Sequence, residues 1–524
     1  MESIYSFLKP IDFVIVISYL LILIAIGYWV SFIKKKNENE NLFLAGRSLN
    51  WFSIGLNMWG TNVGPSMLIA SASIGYTTGM VAGNFAWYAF VFIFLLSFVF
   101  APRYLGANVQ TLPEFMGKRF GQGTRTILAC YTLLTILISW LALTLFAGGI
   151  FMSQILNIPT WASVLILVAI SAFFAIAGGL KAVAYTNVFQ MVLLIGVSLA
   201  LTIVTVMKVG GPVALFEKTP SEYWNLLRPM NDTSYPWLAI LLGYPIMGVW
   251  FWCTDQSMVQ SVLGAKSLKQ GQLGANFIGW LKIFDVALFI IPGIACYVLF
   301  PHLKNPDEAY MTLVTRLFPA GMIGLVMSVL LAALISTIDS ALNSLSTVFT
   351  MDIYVKKYKP EASQKEIIKI GRIVTAVGAV IAIALTLGIS NIKGLKLFDI
   401  FQSILGFLAP PMSVVFLFGV LWKKTTTRAV NMVLTIGTLF SLGTGIVYLV
   451  TINTIHWPHF LLLSFYIFVL LSVFAFLISL FDKNAKSQDT LDFGKLAKPS
   501  KIVLIAWIAL IIFMIGMYII FNGH

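Results

Sequence analysis

Gly60-Thr-Asn-Val-Gly-Pro-Ser66 and Gly243-Tyr-Pro-Ile-Met-Gly248 each interrupt an apolar run, 52–73 and 236–262, that is otherwise long enough to cross a bilayer. A helical span needs about 20 mostly apolar residues to cross roughly 30 Å of hydrocarbon. Proline removes a backbone donor and clashes with the preceding turn, and in lipid the freed groups must be met by protein, water or a ligand. One such break is as readily a packing kink as a site. Two, placed five spans apart, carry more: interrupted segments in corresponding places of two halves point to a binding site between inverted repeats, near the midplane. The reading predicts a five-plus-five helix core with substrate and coupling ion at its centre.

The rest of the chain agrees. Of 524 residues, 59% are hydrophobic and 10% charged, with a mean hydropathy of +0.92; soluble domains carry roughly 25% charged residues. This excludes a soluble enzyme, a nucleic-acid-binding domain and a disordered chain. The expected fold is an all-α integral membrane protein of about 14 transmembrane helices. Besides the two broken spans they fall near 11–32, 80–101, 126–151, 160–178, 184–207, 274–299, 320–347, 368–390, 398–421, 429–452, 459–481 and 502–521. The expected divisions are an extra helix and loop (1–51), the transport core (52–421) and peripheral helices (422–524). The first run is too long for a signal-peptide core and reads as a span.

The net charge of +14 reflects topology rather than an acidic partner: placing both termini outside puts 25 of the 34 Lys+Arg on the inner side, as the positive-inside rule requires. The expected location is the cell (plasma or inner) membrane, with the lipid bilayer as environment, no nucleic acid and no obligate protein partner. Cys130, Cys253 and Cys296 offer neither a disulfide framework nor metal-ligand spacing. The four histidines stand in loops, near span ends or at the C-terminus, so no catalytic constellation is visible and no enzyme is expected.

Charges inside spans are few: Asp255, Lys282, Asp285 and Asp339. Each reads as part of a substrate or ion pathway or as a paired structural charge. Lys282 and Asp285, three apart, can neutralise each other, and Asp255 can cap amides freed by the second break. Ser336, Thr337, Asp339 and Ser340 form a polar cluster denser than helix back-bonding requires. With carbonyls exposed at a broken helix, two hydroxyls give a sodium-sized cation the oxygen ligands that hard cations take.

FLAGR at 43–47, AGGLKAV at 177–183, WCTDQ at 252–256, FTMDIY at 349–354 and WKKTT at 422–426 together resemble the sodium:solute symporter family, which includes the sodium/glucose cotransporters. The resemblance implies a LeuT-like inverted-repeat fold. By position it implies a sodium site of the Gly60, Val63 and Ala333 carbonyls with the Ser336 and Thr337 hydroxyls. Substrate contacts of the sugar members would fall on Asn62, Met67, Ala86, Ala89, Gly248, Phe251, Lys282 and Gln402, of which Met67, Ala86, Ala89 and Gly248 replace polar groups. Members with a second sodium site place an acid where Asn187 stands here. Asp339 appears where that acid's hydroxyl partners are expected, which suggests a displaced carboxylate with Asn187 and Ser340 as neutral ligands. The alternative is a lone protonated Asp339, or one paired to another helix.

The expected activity is sodium-coupled import of a small organic solute, a sugar or polyol, by alternating access. The alternatives are a sodium-coupled carrier of a sialic-acid-like, carboxylate or amino-acid substrate, and a sensor or channel on the same fold.

Overall fold

The computed structural model describes residues 4–29, 44–232, 235–389, 397–451, 454–482 and 498–521. Among these the chain is helical, with only isolated bridges such as Leu49 to Ala265 outside helices. Eleven helical stretches are long and apolar enough to cross a membrane, and Pro10–Ile26 and Thr160–Phe173 are shorter apolar helices. Fourteen separate spans are not established, because two of the expected runs merge in the stretch Met67–Gly106.

Helix α1 (Pro10–Tyr28) lies against the start of the central rod. The first broken span is α2 (Trp51–Asn62) followed by α3 (Pro65–Thr78). Asn50 caps α2, its side chain accepting from the Ser53 amide at 2.9 Å. The helix ends where Val63 (φ −89°, ψ 87°) and the extended Gly64 (φ −98°, ψ 163°) leave helical geometry. Pro65 opens α3, at the first-turn position where its missing amide costs nothing. The first break therefore falls inside the expected run. Helix α4 (Thr160–Val209) covers two expected spans with no interruption of its helical backbone between 178 and 184. Its first part packs Val164 and Leu167 on Gly149 and Gly148, and its second part packs Met191 on Gly60.

The second break is displaced from its expected place. Helix α5 (Trp237–Val249) passes through Pro245, widens into a π-turn at Trp250–Thr254, and only then stops at Asp255 (φ −81°, ψ 127°), before α6 (Gln256–Leu263). The glycines of the 243–248 run serve close packing instead. A Cβ on Gly243 would lie 2.2 Å from the Leu461 carbonyl oxygen, and one on Gly248 2.3 Å from the Phe92 ring. Asp255 ends the span because its carboxylate caps the next helix, accepting from the Met258 amide at 3.1 Å.

Helix α7 (Leu268–Asp285) runs into a second π-turn at Val286–Ile290. Helix α8 (Met322–Val348) is the central rod: every residue but Met322 and Leu325 is buried. Its first amides are held by the buried Asp12 of α1, whose carboxylate accepts from Gly321 and Gly324 at 2.7 Å each. Helix α9 (Leu397–Leu421) carries Gln402. The last described helix, Lys501–Ile520, packs along α7, where the Asn276 side chain donates to the Ala506 carbonyl at 3.1 Å.

Candidate substrate and cation site

Where α2 stops, its last carbonyls lose their helical partners, and α8 presents hydroxyls to them. Ser336 Oγ donates to the Gly60 carbonyl at 3.1 Å. Thr337 Oγ1 lies 3.3 Å from the Thr61 carbonyl and 3.1 Å from that of Ala333. Oxygens from two helices thus converge with no carboxylate among them, a donor set suited to a hard monovalent cation. The approach is close: a Cβ on Gly60 would lie 3.1 Å from Ser336 Oγ, and one on Gly64 3.5 Å from Thr337 Oγ1. Of the expected ligands, Gly60, Ala333, Ser336 and Thr337 meet through these contacts. Val63 is buried at the break itself. The Thr61 carbonyl was missed, although it stands one residue beyond Gly60 in the same unwinding turn.

Asn187, Asp339 and Ser340 are not hydrogen-bonded to one another among the described residues. Ser340 Oγ accepts from Thr61 Oγ1 at 2.8 Å, and the Asn187 amide donates to the Asn57 side chain, which in turn donates to Ser261. Asp339 is fully buried, and neither of its oxygens makes a hydrogen bond of normal geometry; Ser171 of α4 is the polar side chain beside it.

Above the break lies a cavity of about 720 Å³. Its wall includes Asn62, Met67, Ala86, Phe251, Lys282 and Gln402, together with Gly248 and Thr337. Ala89 is buried but is not on that wall. The cavity lining runs on to Phe7, Asp307, Glu308 and Arg316, of which Asp307 and Arg316 are exposed, so it reaches the surface on the side where α8 begins. Ser73 Oγ fixes the Asp307 carboxylate at 2.6 Å.

The wall is aromatic on one side. Phe251 packs on Trp140 (ring centroids 5.4 Å apart) and on Trp252 (5.0 Å). Trp140 Nε1 donates to Asp255 Oδ2 at 3.0 Å, so the acid that caps α6 also sets the indole on the wall. Nothing in the apolar run around Trp140 had marked it. On the other side Lys282 Nζ donates to Asn62 Oδ1 at 2.8 Å and to Asp285, and lies 5.8 Å from the centre of the Trp252 ring.

The profile of the sodium:solute symporter family matches residues 42–437, from the loop before α2 to beyond α9. The chain belongs to the sodium:solute symporter family. It is 32% identical over 456 residues to sodium/glucose cotransporter 4 of Danio rerio, covering 80% of this chain and 69% of the relative. It is also 32% identical over 527 residues to sodium/glucose cotransporter 1 of Ovis aries (90% and 79% covered). To sodium/myo-inositol cotransporter 2 of Homo sapiens the identity is 32% over 457 residues (80% and 67% covered). Among solved structures, a sodium-coupled sialic acid symporter in a substrate-bound outward-open state superposes with a TM-score of 0.77 at 18% identity, covering 91% of this chain and 99% of the other. The fold is thus the LeuT-like one. The symporter is a multi-pass membrane carrier rather than an enzyme, with sodium as its coupling ion and a small solute as its cargo.

Proposed function

We propose that this symporter imports a neutral sugar or polyol across the cell membrane together with sodium, with both termini outside. The observation that carries the reading is the junction at Gly60–Gly64: the break that exposes carbonyls to Ser336 and Thr337 also ends in Asn62, which lines the cavity and bonds Lys282. A cation that draws α2 and α8 together there also orders the cavity wall, so each ligand raises the affinity for the other. Sodium held by the carbonyls of Gly60, Val63 and Ala333 and the hydroxyls of Ser336 and Thr337 favours the state whose cavity is open to the outside. Asn62, Phe251, Lys282 and Gln402 hold the solute, and Met67 and Ala86 add apolar wall beside it. A second cation beside Asp339, with Asn187 and Ser340 as neutral ligands, belongs to the same reading; a fully buried carboxylate that takes no hydrogen bond of normal geometry from the described residues supports it.

The test is uptake of labelled glucose and myo-inositol by proteoliposomes with an inward sodium gradient. Saturable accumulation that collapses when potassium replaces sodium is expected. Accumulation of a sialic acid or amino acid in place of every sugar and polyol overturns the substrate class. Sodium currents without solute accumulation overturn symport.

A further inference from the structure

Lys282 and Asp285 both line the cavity, and their side chains are each only 2% exposed. They form an ion pair on one turn of α7, yet neither is used up by the other. Asp285 Oδ1 accepts from Trp59 Nε1 at 2.7 Å while Oδ2 takes Lys282, and Lys282 Nζ also donates to Asn62. An ammonium has three donors and a carboxylate about four acceptor sites. One N–H and two lone-pair directions are therefore left unused by these bonds, on two side chains that line the cavity. That is the complement of a hydroxyl, which gives one hydrogen bond and accepts others. A lysine alone in this place would attract anions; its partner cancels the charge. The helix widens into the π-turn Val286–Ile290 directly after Asp285, a distortion frequent at functional sites.

We propose that Asp285 is a specificity-determining residue, which with Lys282 makes a net-neutral donor and acceptor pair that admits uncharged polyhydroxy solutes and rejects carboxylates and amines. This rests on the sugar-or-polyol reading and names how the charge class of the solute is chosen. A pair that serves only to neutralise a buried lysine would affect all solutes alike; one that faces the solute discriminates by charge.

The test uses glucose, glucuronate and glucosamine, one ring in neutral, anionic and cationic form, as competitors of sodium-driven glucose uptake by the full-length protein in proteoliposomes. Wild type should prefer glucose to both charged forms. Asp285→Asn exposes the lysine charge and should move the glucuronate-to-glucose preference about tenfold or more toward the anion, since an unpaired buried charge seeks a partner. Lys282→Gln should move the glucosamine-to-glucose preference the opposite way. Sodium-dependent thermal stability identifies folded variants, and either variant alone suffices. Unchanged ratios in a folded variant, or a wild type that binds glucuronate as well as glucose, overturn the proposal. A wild type that imports only carboxylates sinks both this inference and the sugar reading. One that imports glucose but shows unchanged ratios in both folded variants sinks only this inference.

Discussion

In the proposed cation site, Ser336 and Thr337 are the side chains on which the ion would depend most directly, because each brings a hydroxyl of α8 to a carbonyl of α2. Removing one leaves the helix intact and takes away one oxygen ligand. Ser336→Ala and Thr337→Ala should each raise the sodium concentration needed for half-maximal uptake, with protein yield near wild type. Sodium titrations of uptake check this, and unchanged sodium dependence in both variants would place the cation elsewhere. Gly60→Ala acts through space: its Cβ would meet Ser336 Oγ at 3.1 Å and Met191 Cγ at 3.0 Å. The expected outcome is a sodium defect at least as large as that of Ser336→Ala, since the methyl displaces the hydroxyl without removing it. Asp339 is distinguished from these by carboxylate oxygens that take no hydrogen bond of normal geometry from the described residues, with Ser171 beside them. If it holds a second cation, Asp339→Asn lowers the ratio of charge to solute carried per cycle, and an unchanged ratio restricts the site to one sodium.

At the scale of elements, the two broken spans show what a linear reading can and cannot find. Gly60 to Ser66 reads correctly because Gly64 and Pro65 act locally: one accepts extended backbone and the other starts a helix. Gly243 to Gly248 misleads because its glycines answer to neighbours distant in sequence, Leu461 and Phe92, which no local pattern reveals. The actual stop, Asp255, was legible as a cap but not as the break, since its second task of holding Trp140 is tertiary. Most spans were legible from hydropathy alone, whereas Trp140 and the opening of the cavity depend on packing between spans. Two variants separate these roles. Pro245→Ala should transport nearly as well as wild type, because the helix already continues through that residue. Gly243→Ala must push a methyl into a backbone carbonyl and should abolish recovery of folded protein; detergent-extracted yield measures both. If Pro245→Ala loses sodium coupling instead, the break belongs at 243–248 after all. Asp255→Ala gives up a helix cap, a loss of about 1 kcal/mol or more, and frees the Trp140 indole, so solute affinity should fall along with stability.

For the whole molecule, the cavity reaches the surface beside Phe7 and Arg316, at the end of the rod where α8 begins, while polar bonds tie the opposite end. There, buried Asp352 accepts from Arg125 Nε at 2.6 Å and from Thr111 Oγ1 at 2.8 Å, and Arg125 also donates to the Met351 carbonyl at 3.2 Å. Arg119, from the helical hairpin Leu112–Phe120 and Gln122–Thr135 that Thr111 caps, donates to the Gly419 and Trp422 carbonyls at the end of α9. In the proposed orientation, with both termini outside as the basic asymmetry of the loops suggests, this tied end faces the inside of the cell. A cysteine at Ser363 should therefore resist an impermeant thiol reagent added to intact cells, and one at Asn305 should react. Alternating access requires the tied end to part while the mouth closes, so bonds made only in the outward-open state bias the equilibrium toward it. Removing one partner of a buried ion pair costs about 3–5 kcal/mol, and each 1.4 kcal/mol of that cost borne by one state alone changes the population ratio about tenfold. Asp352→Asn should then favour the inward-open state. A cysteine replacing Met67, on the outward cavity wall, would react more slowly from outside in this background, and added sodium would restore part of the rate by binding the outward form. A rate equal to that of Met67→Cys alone, with and without sodium, would show that the Arg125–Asp352 pair persists in both states and holds the hairpin in place rather than the gate.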